Sequence, residues 1–215
     1  MKKIAILGSG VVGQTLADGF LGRGHEVRRG SREPGKLADW KEKAGAAASV
    51  GTFAEAAAFG DVVVLAVKGT AAVEAIELAG LANLAGKTVI DATNPIANAP
   101  PQDGVLQFFT GPNESLMELL QKKAPEAHLV KAFSCVGNAL MIDPKLAGGP
   151  PTMFICGNDA AAKAEVKGIL TAFGWDTEDM GTATAARAIE PLCMLWCIPG
   201  MSQRGWMHAF KLLRP

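Results

Sequence analysis

Gly8-Ser9-Gly10-Val11-Val12-Gly13 follows without a break on the apolar run Ile4-Ala5-Ile6-Leu7, and Val12, Leu16 and Phe20 then recur at fourfold spacing. A buried strand, a glycine turn and an amphipathic helix in that order suit the binding of phosphate. Gly8 permits the tight turn, Gly10 lets backbone approach a pyrophosphate with no Cβ in the way, and Gly13 lets the helix pack close to the strand. The helix start adds unpaired N–H groups and the positive end of its dipole. The whole turn, from Gly8 through Ser9, Gly10, Val11 and Val12 to Gly13, is therefore assigned to a dinucleotide.

The next strand selects the dinucleotide. An NAD site places Asp or Glu about 20 residues beyond the turn to hold the ribose 2′-hydroxyl. This chain reads Arg28-Arg29-Gly30-Ser31-Arg32 there, followed by Lys36. A hydroxyl and several cations suit a 2′-phosphate, which a guanidinium can grip through two hydrogen bonds. Ser31, Arg32 and Lys36 are assigned to that phosphate, and the expected cofactor is NADP(H).

Further contacts are expected where later strands end, because such a cofactor lies across the carboxyl edge of the sheet. Ala66, Val67 and Lys68 offer backbone and small apolar contacts, with Lys68 reading equally well as a solvated loop residue. Asn94, followed by Pro95, brings a carboxamide suited to the ribose or the nicotinamide amide. Ala132 precedes Phe133, Ser134 and Cys135 at a third strand end. Asp91 reads as a turn-former rather than an acid.

Hydride transfer between two rings depends on contact and orientation more than on an acid or base. The inventory fits: the chain has no Tyr, and its three histidines, His25, His128 and His208, sit in a turn, at a strand start and in an apolar tail. A carbonyl or imine substrate would need a proton donor, for which Ser134, Cys135 and Lys68 are weak candidates. Cys193 and Cys197 are four apart, but no further ligand at metal spacing accompanies them, so no metal is expected.

The elements that must position these residues alternate along the chain. Strands are predicted over residues 3–7, 26–29, 47–50, 62–67, 88–91, 129–133 and 152–156, with a weaker one at 176–179. Helices are predicted from Val12 to Leu21, from a Thr52/Glu55 capping box to Phe59, from Glu114 after Asn113 to Lys123, and from Ala160 to Phe173 behind Asn158 or Asp159. Val62-Val63-Val64-Leu65-Ala66-Val67 does not alternate with polar residues and reads as a central strand buried on both faces. Residues 94–112, with four prolines and two glycines, read as a long loop beyond a central strand. The pattern predicts an α/β fold, a doubly wound, mostly parallel Rossmann-type sheet with a small C-terminal helical extension. One domain over 1–215 is expected, with 181–215 a helical segment serving as pocket wall or dimer interface.

Composition narrows the function classes. Half of the 215 residues are hydrophobic and a fifth charged, enough for a sizeable core, and 21 basic residues balance 21 acidic ones. That balance argues against a nucleic acid or anionic membrane partner. Four cysteines without C-x-x-C spacing suit a reducing cytoplasm. The start Met1-Lys2-Lys3 lacks a signal-peptide core, and Arg187, Glu190, Pro191, Pro199 and Arg204 interrupt the apolar C-terminal region before it reaches spanning length.

Gly8-Ser9-Gly10-Val11-Val12-Gly13, Gly24-His25-Glu26-Val27, Gly30-Ser31-Arg32, Ile90-Asp91-Ala92-Thr93-Asn94-Pro95, Lys131-Ala132-Phe133 and Glu190-Pro191-Leu192 together resemble the NADPH-dependent deazaflavin-coenzyme (F420) reductases and their bacterial relatives. The resemblance spans nearly the whole chain. It implies hydride exchange between NADPH and a deazaflavin, or a flavin in related modules, and assigns Ser31, Arg32 and Lys36 to the 2′-phosphate. It also implies a pocket shared by the loop after Phe133 and the C-terminal segment. Deazaflavin-using members can carry a His after this strand, where this chain has Ser134. Two other readings share the N-terminal half: a reductase of a small carbonyl or imine, and a non-catalytic NADP-binding sensor or partner module. The dense apolar residues between Ala185 and Leu213 point to a homodimer.

Overall fold

A computed structural model describes all 215 residues, Met1–Pro215. Eight strands form one sheet in the order β3-β2-β1-β4-β5-β6-β7-β8. They are β1 (Lys3–Leu7), β2 (Glu26–Gly30), β3 (Ala48–Gly51), β4 (Val62–Leu65), β5 (Thr88–Asp91), β6 (His128–Lys131), β7 (Thr152–Gly157) and β8 (Asp176–Asp179). The first six are mutually parallel, β6 and β7 are antiparallel, and β8 runs parallel to β7. The expected doubly wound sheet is present, and the chain direction across it reverses between β1 and β4.

Register explains where the site must form. Gly51, Gly30, Leu7, Leu65, Asp91 and Lys131 end their strands as successive Cα partners across the sheet. Every segment assigned to the cofactor therefore leaves the sheet at one edge.

The helices cover both faces. They are α1 (Val11–Leu21), α2 (Ala38–Ala44), α3 (Phe53–Phe59), α4 (Ala72–Ala79), α5 (Leu81–Leu84), α6 (Leu116–Lys123) and α7 (Ala160–Ala172). The C-terminal region adds α8 (Ala186–Ile189) and α9 (Pro191–Met201). Side chains alternate across the sheet with a period of two. Ile4, Ile6, Val62 and Val64 pack with Leu16, Phe20, Val166 and Leu170 of α1 and α7. Ala5, Leu7, Val63 and Leu65 pack with Ala56, Ile76 and Leu120 of α3, α4 and α6.

Several boundaries differ from the sequence expectation. β4 stops at Leu65 instead of running to Val67, and β6 stops at Lys131 because Phe133 adopts φ +61° and bends the chain out of the sheet. The helix expected after Asn113 starts at Leu116, where Ser115 accepts from the Glu118 amide at 3.2 Å. The segment expected to be helical over 181–215 is helical only over a 3-10 turn at Ala183–Ala185, α8 and α9. Beyond Met201, Gln203 at φ +62° and Gly205 at φ +93° end the helix, and the tail runs past β7, with Thr152 N donating to Phe210 O at 2.9 Å. Short α2, α4 and α5 were not anticipated.

The Thr52/Glu55 capping box forms as expected, with Glu55 N donating to Thr52 Oγ1 at 3.2 Å and Thr52 N to Glu55 Oε2 at 2.7 Å. Thr52→Ala removes this cap and should lower stability by about 0.5–2 kcal/mol, read from the shift of a urea unfolding midpoint.

Candidate functional site

The glycine turn sits where the strand order reverses. Gly8 adopts φ +147°, and a Cβ on it would stand 2.2 Å from the Ala66 carbonyl oxygen, so only glycine fits against the end of β4. A Cβ on Gly13 would meet the Gly8 oxygen at 2.8 Å, which accounts for the third glycine as close packing. A Cβ on Gly10 meets nothing within 4 Å. Open space at that point is what a phosphate chain passing the helix start requires. No side chain caps α1, and its first turn carries no acidic residue, so its N-terminal amides remain free for an anion.

A cleft of about 200 Å³ runs from this turn, lined by Gly8, Ser9, Gly10, Ser31, Arg32, Lys36, Ala66, Val67 and Lys68. Nine of the residues assigned from sequence meet there. The same cleft contains two carboxylates that the sequence reading overlooked, Glu33 and Glu74. Arg32 Nη1 lies 3.4 Å from Glu74 Oε2, and Lys36 Nζ lies 2.7 Å from Glu33 Oε1. The Lys36 hydrogen bond holds the Glu33 carboxyl below the usual carboxylate range. Ser31 is buried, and its Oγ accepts from Glu33 N at 3.1 Å. The two neighbouring arginines point elsewhere. Arg28 lies over the Phe59 ring, and Arg29 is buried against Trp40.

The remaining assigned residues lie farther along the edge. Val11, Val12 and Gly13 form the first turn of α1. Asn94 Nδ2 donates to the Ser134 carbonyl at 2.7 Å, and a Cβ on Gly69 would stand 1.8 Å from the Asn94 carbonyl oxygen. This close approach joins the loops after β4, β5 and β6. Asn94 Oδ1 and Ser134 Oγ are both buried without a hydrogen-bond partner, an arrangement that native proteins rarely leave unused. Pro95 is buried beside them, and Ala132 lies wholly within the core. Burial pushes the Cys135 thiol up to about 12, so it is neutral at physiological pH. Lys68 is exposed and donates to Asn98 Oδ1.

Beneath these loops lies an ion network that spacing alone did not disclose. Lys131 is fully buried, with Nζ 2.7 Å from Asp91 Oδ2, 2.8 Å from Glu190 Oε1 and 2.9 Å from the Thr93 carbonyl. Burial pulls its pKa down, but the two carboxylates outweigh that and leave it above the ordinary lysine value. Asp91 Oδ1 also accepts from Thr93 N and Oγ1 at 2.9 and 2.6 Å, so its turn-forming role is real but incomplete. Glu190 caps α6 from 74 residues away, accepting from Leu116 N at 2.9 Å and Met117 N at 3.0 Å. The sequence held the signal as three motif charges, yet nothing in their spacing indicated that they meet.

Opposite, the loop after β6 packs directly on α9: a Cβ on Gly137 would stand 2.7 Å from the Trp196 ring. Ile96, Leu106 and Phe108 of the long loop close on Cys193, Trp196 and Cys197 from the other side. No group of three or more His, Cys, Asp or Glu side chains is arranged to hold a metal, and no helix is long and apolar enough to cross a membrane.

A glycine turn at the reversal point of a doubly wound sheet defines a dinucleotide-binding α/β protein. Residues 3–95 match the family described as NADP oxidoreductase, coenzyme F420-dependent. A candidate F420-dependent NADP-reductase from Arthrobacter sp. FB24 is 35% identical, with full coverage of both chains and a TM-score of 0.91. The chain belongs to the F420-dependent NADP oxidoreductase family. It is also 32% identical to the metalloreductase STEAP3 of Rattus norvegicus over 97% of its own length, and spans 40% of that relative. A reductive aminase from Aspergillus terreus, solved with NADPH, shares the fold at a TM-score of 0.68 and 21% identity, over 95% of this chain and 63% of that one.

Lys131→Met leaves two buried carboxylates without their cation and should destabilise the protein by about 3–5 kcal/mol. Chemical denaturation measures this, and a loss below 1 kcal/mol would show that the network is not what joins these segments.

Proposed function

We propose that the chain passes a hydride between NADP(H) and a deazaflavin or flavin-type acceptor. The observation that carries the cofactor half is the cleft in which the glycine turn, Ser31, Arg32 and Lys36 converge. Its fit to a dinucleotide rests on the open space at Gly10 and the uncapped start of α1.

When bound, NADPH supplies a two-electron hydride donor, and the work left to the protein is binding and orientation. The amides of the turn and of Val11, Val12 and Gly13 meet the pyrophosphate. Arg32 and Lys36 would hold the 2′-phosphate, exchanging their carboxylate partners Glu74 and Glu33 for it. Ala66, Val67 and Lys68 would hold the chain of the cofactor along the sheet edge and Asn94 its far end, where Pro95 and Ala132 are buried and offer little surface to a ligand. Asn94 Oδ1 and Ser134 Oγ, both without protein partners, suit the polar edge of a carboxamide ring.

A ring-to-ring transfer needs no strong acid, and the site supplies none. Ser134 hydroxyl and Cys135 thiol are buried and neutral, fit to position but not to exchange protons rapidly. This favours a planar conjugated acceptor over a small carbonyl or imine, and family membership supports it further. Conversely, the likeness to a metalloreductase favours including ferric chelates among the acceptors tested. The free state of all four thiols supports a cytoplasmic setting. Exposed Leu195, Met201, Trp206 and Met207 on the C-terminal segment support a homodimer.

Purified protein mixed with NADPH and, separately, deazaflavin, FMN, FAD, ferric chelate and a carbonyl panel should consume nicotinamide absorbance with a ring acceptor. Turnover confined to the carbonyl panel overturns the acceptor class, and no turnover at all favours a sensor. Arg32→Ala should weaken NADPH binding by about 1.5–3 kcal/mol and leave NADH nearly unchanged. Glu74→Gln frees Arg32 from competition and should tighten NADPH about two- to fivefold, in a titration of intrinsic nicotinamide fluorescence.

A further inference from the structure

We infer that Arg29 is a positioning residue for the phosphate chain: its buried guanidinium holds the Gly8 and Gly10 carbonyls inward and so aims the Ser9 and Val11 amides outward. The inference rests on the dinucleotide reading and deepens it.

Arg29 lies on β2, on the face that packs against α1 and α2, and is 1% exposed. Its Nη2 is 3.2 Å from the Gly10 oxygen and 3.4 Å from the Gly8 oxygen. Its guanidinium lies over the Trp40 ring, 4.8 Å from the centroid, and Trp40 is fixed in turn by Nε1 donating to Asp18 Oδ1 at 2.7 Å. The cation therefore cannot swing away from the turn without unpacking Trp40.

A trans peptide is planar, with its C=O and N–H pointing in opposite directions. Fixing the Gly8 oxygen fixes the Ser9 N–H, and the Gly10 oxygen, held by Arg29 together with the Gln14 N–H that donates to it at 3.0 Å, fixes the Val11 N–H. Both carbonyls are drawn beneath the turn, so both donors are turned toward the cleft before any ligand arrives. The residue also places a positive charge under the turn, adding to the helix dipole that attracts the pyrophosphate. A ligand meeting prealigned donors loses less free energy to ordering the loop.

A purely structural role explains the residue poorly. Arg29 Nε is buried with no partner, and the nearest acid, Asp18, bonds Trp40 instead. Replacing a buried ion with an apolar side chain of similar volume is often neutral or stabilising, so a stability role alone would be better served by such a residue. The glycine-turn carbonyls are the contact that an apolar side chain cannot make.

Binding of NADPH, NADH and 2′-AMP to wild type, Arg29→Met and Arg29→Val tests this. NADPH and NADH share the pyrophosphate, whereas 2′-AMP has the 2′-phosphate and lacks the pyrophosphate. Arg29→Met should weaken both dinucleotides by the same factor, about tenfold for two donors left unaligned, and leave 2′-AMP within about twofold. Arg32→Ala should give the opposite pattern, with NADPH and 2′-AMP weakened and NADH spared. Should Arg29→Met not fold, Arg29→Val, a β-branched apolar residue suited to a strand, gives the same comparison. Unchanged NADH binding in a folded variant overturns the inference alone, as does a loss of 2′-AMP binding equal to that of the dinucleotides. A wild-type protein that binds neither dinucleotide overturns the cofactor reading and this inference with it.

Discussion

A lysine ammonium removed from water must be neutralised where it sits, and Lys131 is neutralised by two carboxylates from distant parts of the chain. Asp91 ends β5, Lys131 ends β6, and Glu190 introduces α9, so one buried cation joins the middle of the sheet to the C-terminal segment. The remaining negative charge is met by the α6 amides and by Thr93. Asn94 follows this network by one residue beyond Thr93, and Ser134 by three beyond Lys131. The polar edge at the far end of the proposed cofactor path therefore inherits its position from a fully buried ion cluster.

The opposite half of the edge is organised in a different way. Around the glycine turn, backbone contacts set the geometry: Gly8 against the end of β4, Gly13 against Gly8, and Arg29 beneath both glycine carbonyls. The charges above the turn, by comparison, lie at the surface. Arg32, Lys36, Glu33 and Glu74 form exposed pairs, which contribute little to stability and can exchange partners at small cost. Close backbone packing at the turn beside exposed charge pairs would let the proposed 2′-phosphate contacts vary without disturbing the fold. Between the two halves, Phe133 holds a left-handed backbone conformation costly for an aromatic residue. It directs the chain away from the sheet and into the loop that carries Ser134 and packs on Trp196.

Much of this was legible in the sequence because its causes are local. The unbroken apolar runs of β1 and β4, the glycine turn, the Thr52/Glu55 capping box and the Asp159 cap each depend on residues within a few positions of one another. The doubly wound class follows from alternation of such segments. Boundaries failed where a tertiary contact replaced the local signal: α6 starts two residues after Glu114 because Ser115 and Glu190 take its first amides, and β6 ends early at the bend before Phe133.

By itself the sequence determined the succession of strands, the helices α1, α3, α6 and α7, and the glycine turn with the cationic residues now proposed for a 2′-phosphate, since propensity, periodicity and steric demand act over short spans. Only the tertiary structure decided which charges remain available. It buried Arg29 under the turn, committed Lys131 to Asp91 and Glu190, and set Glu74 against Arg32. Residues tens of positions apart meet through strand register and helix packing, and Coulomb energy depends on distance in space and on burial, neither of which is written in residue spacing.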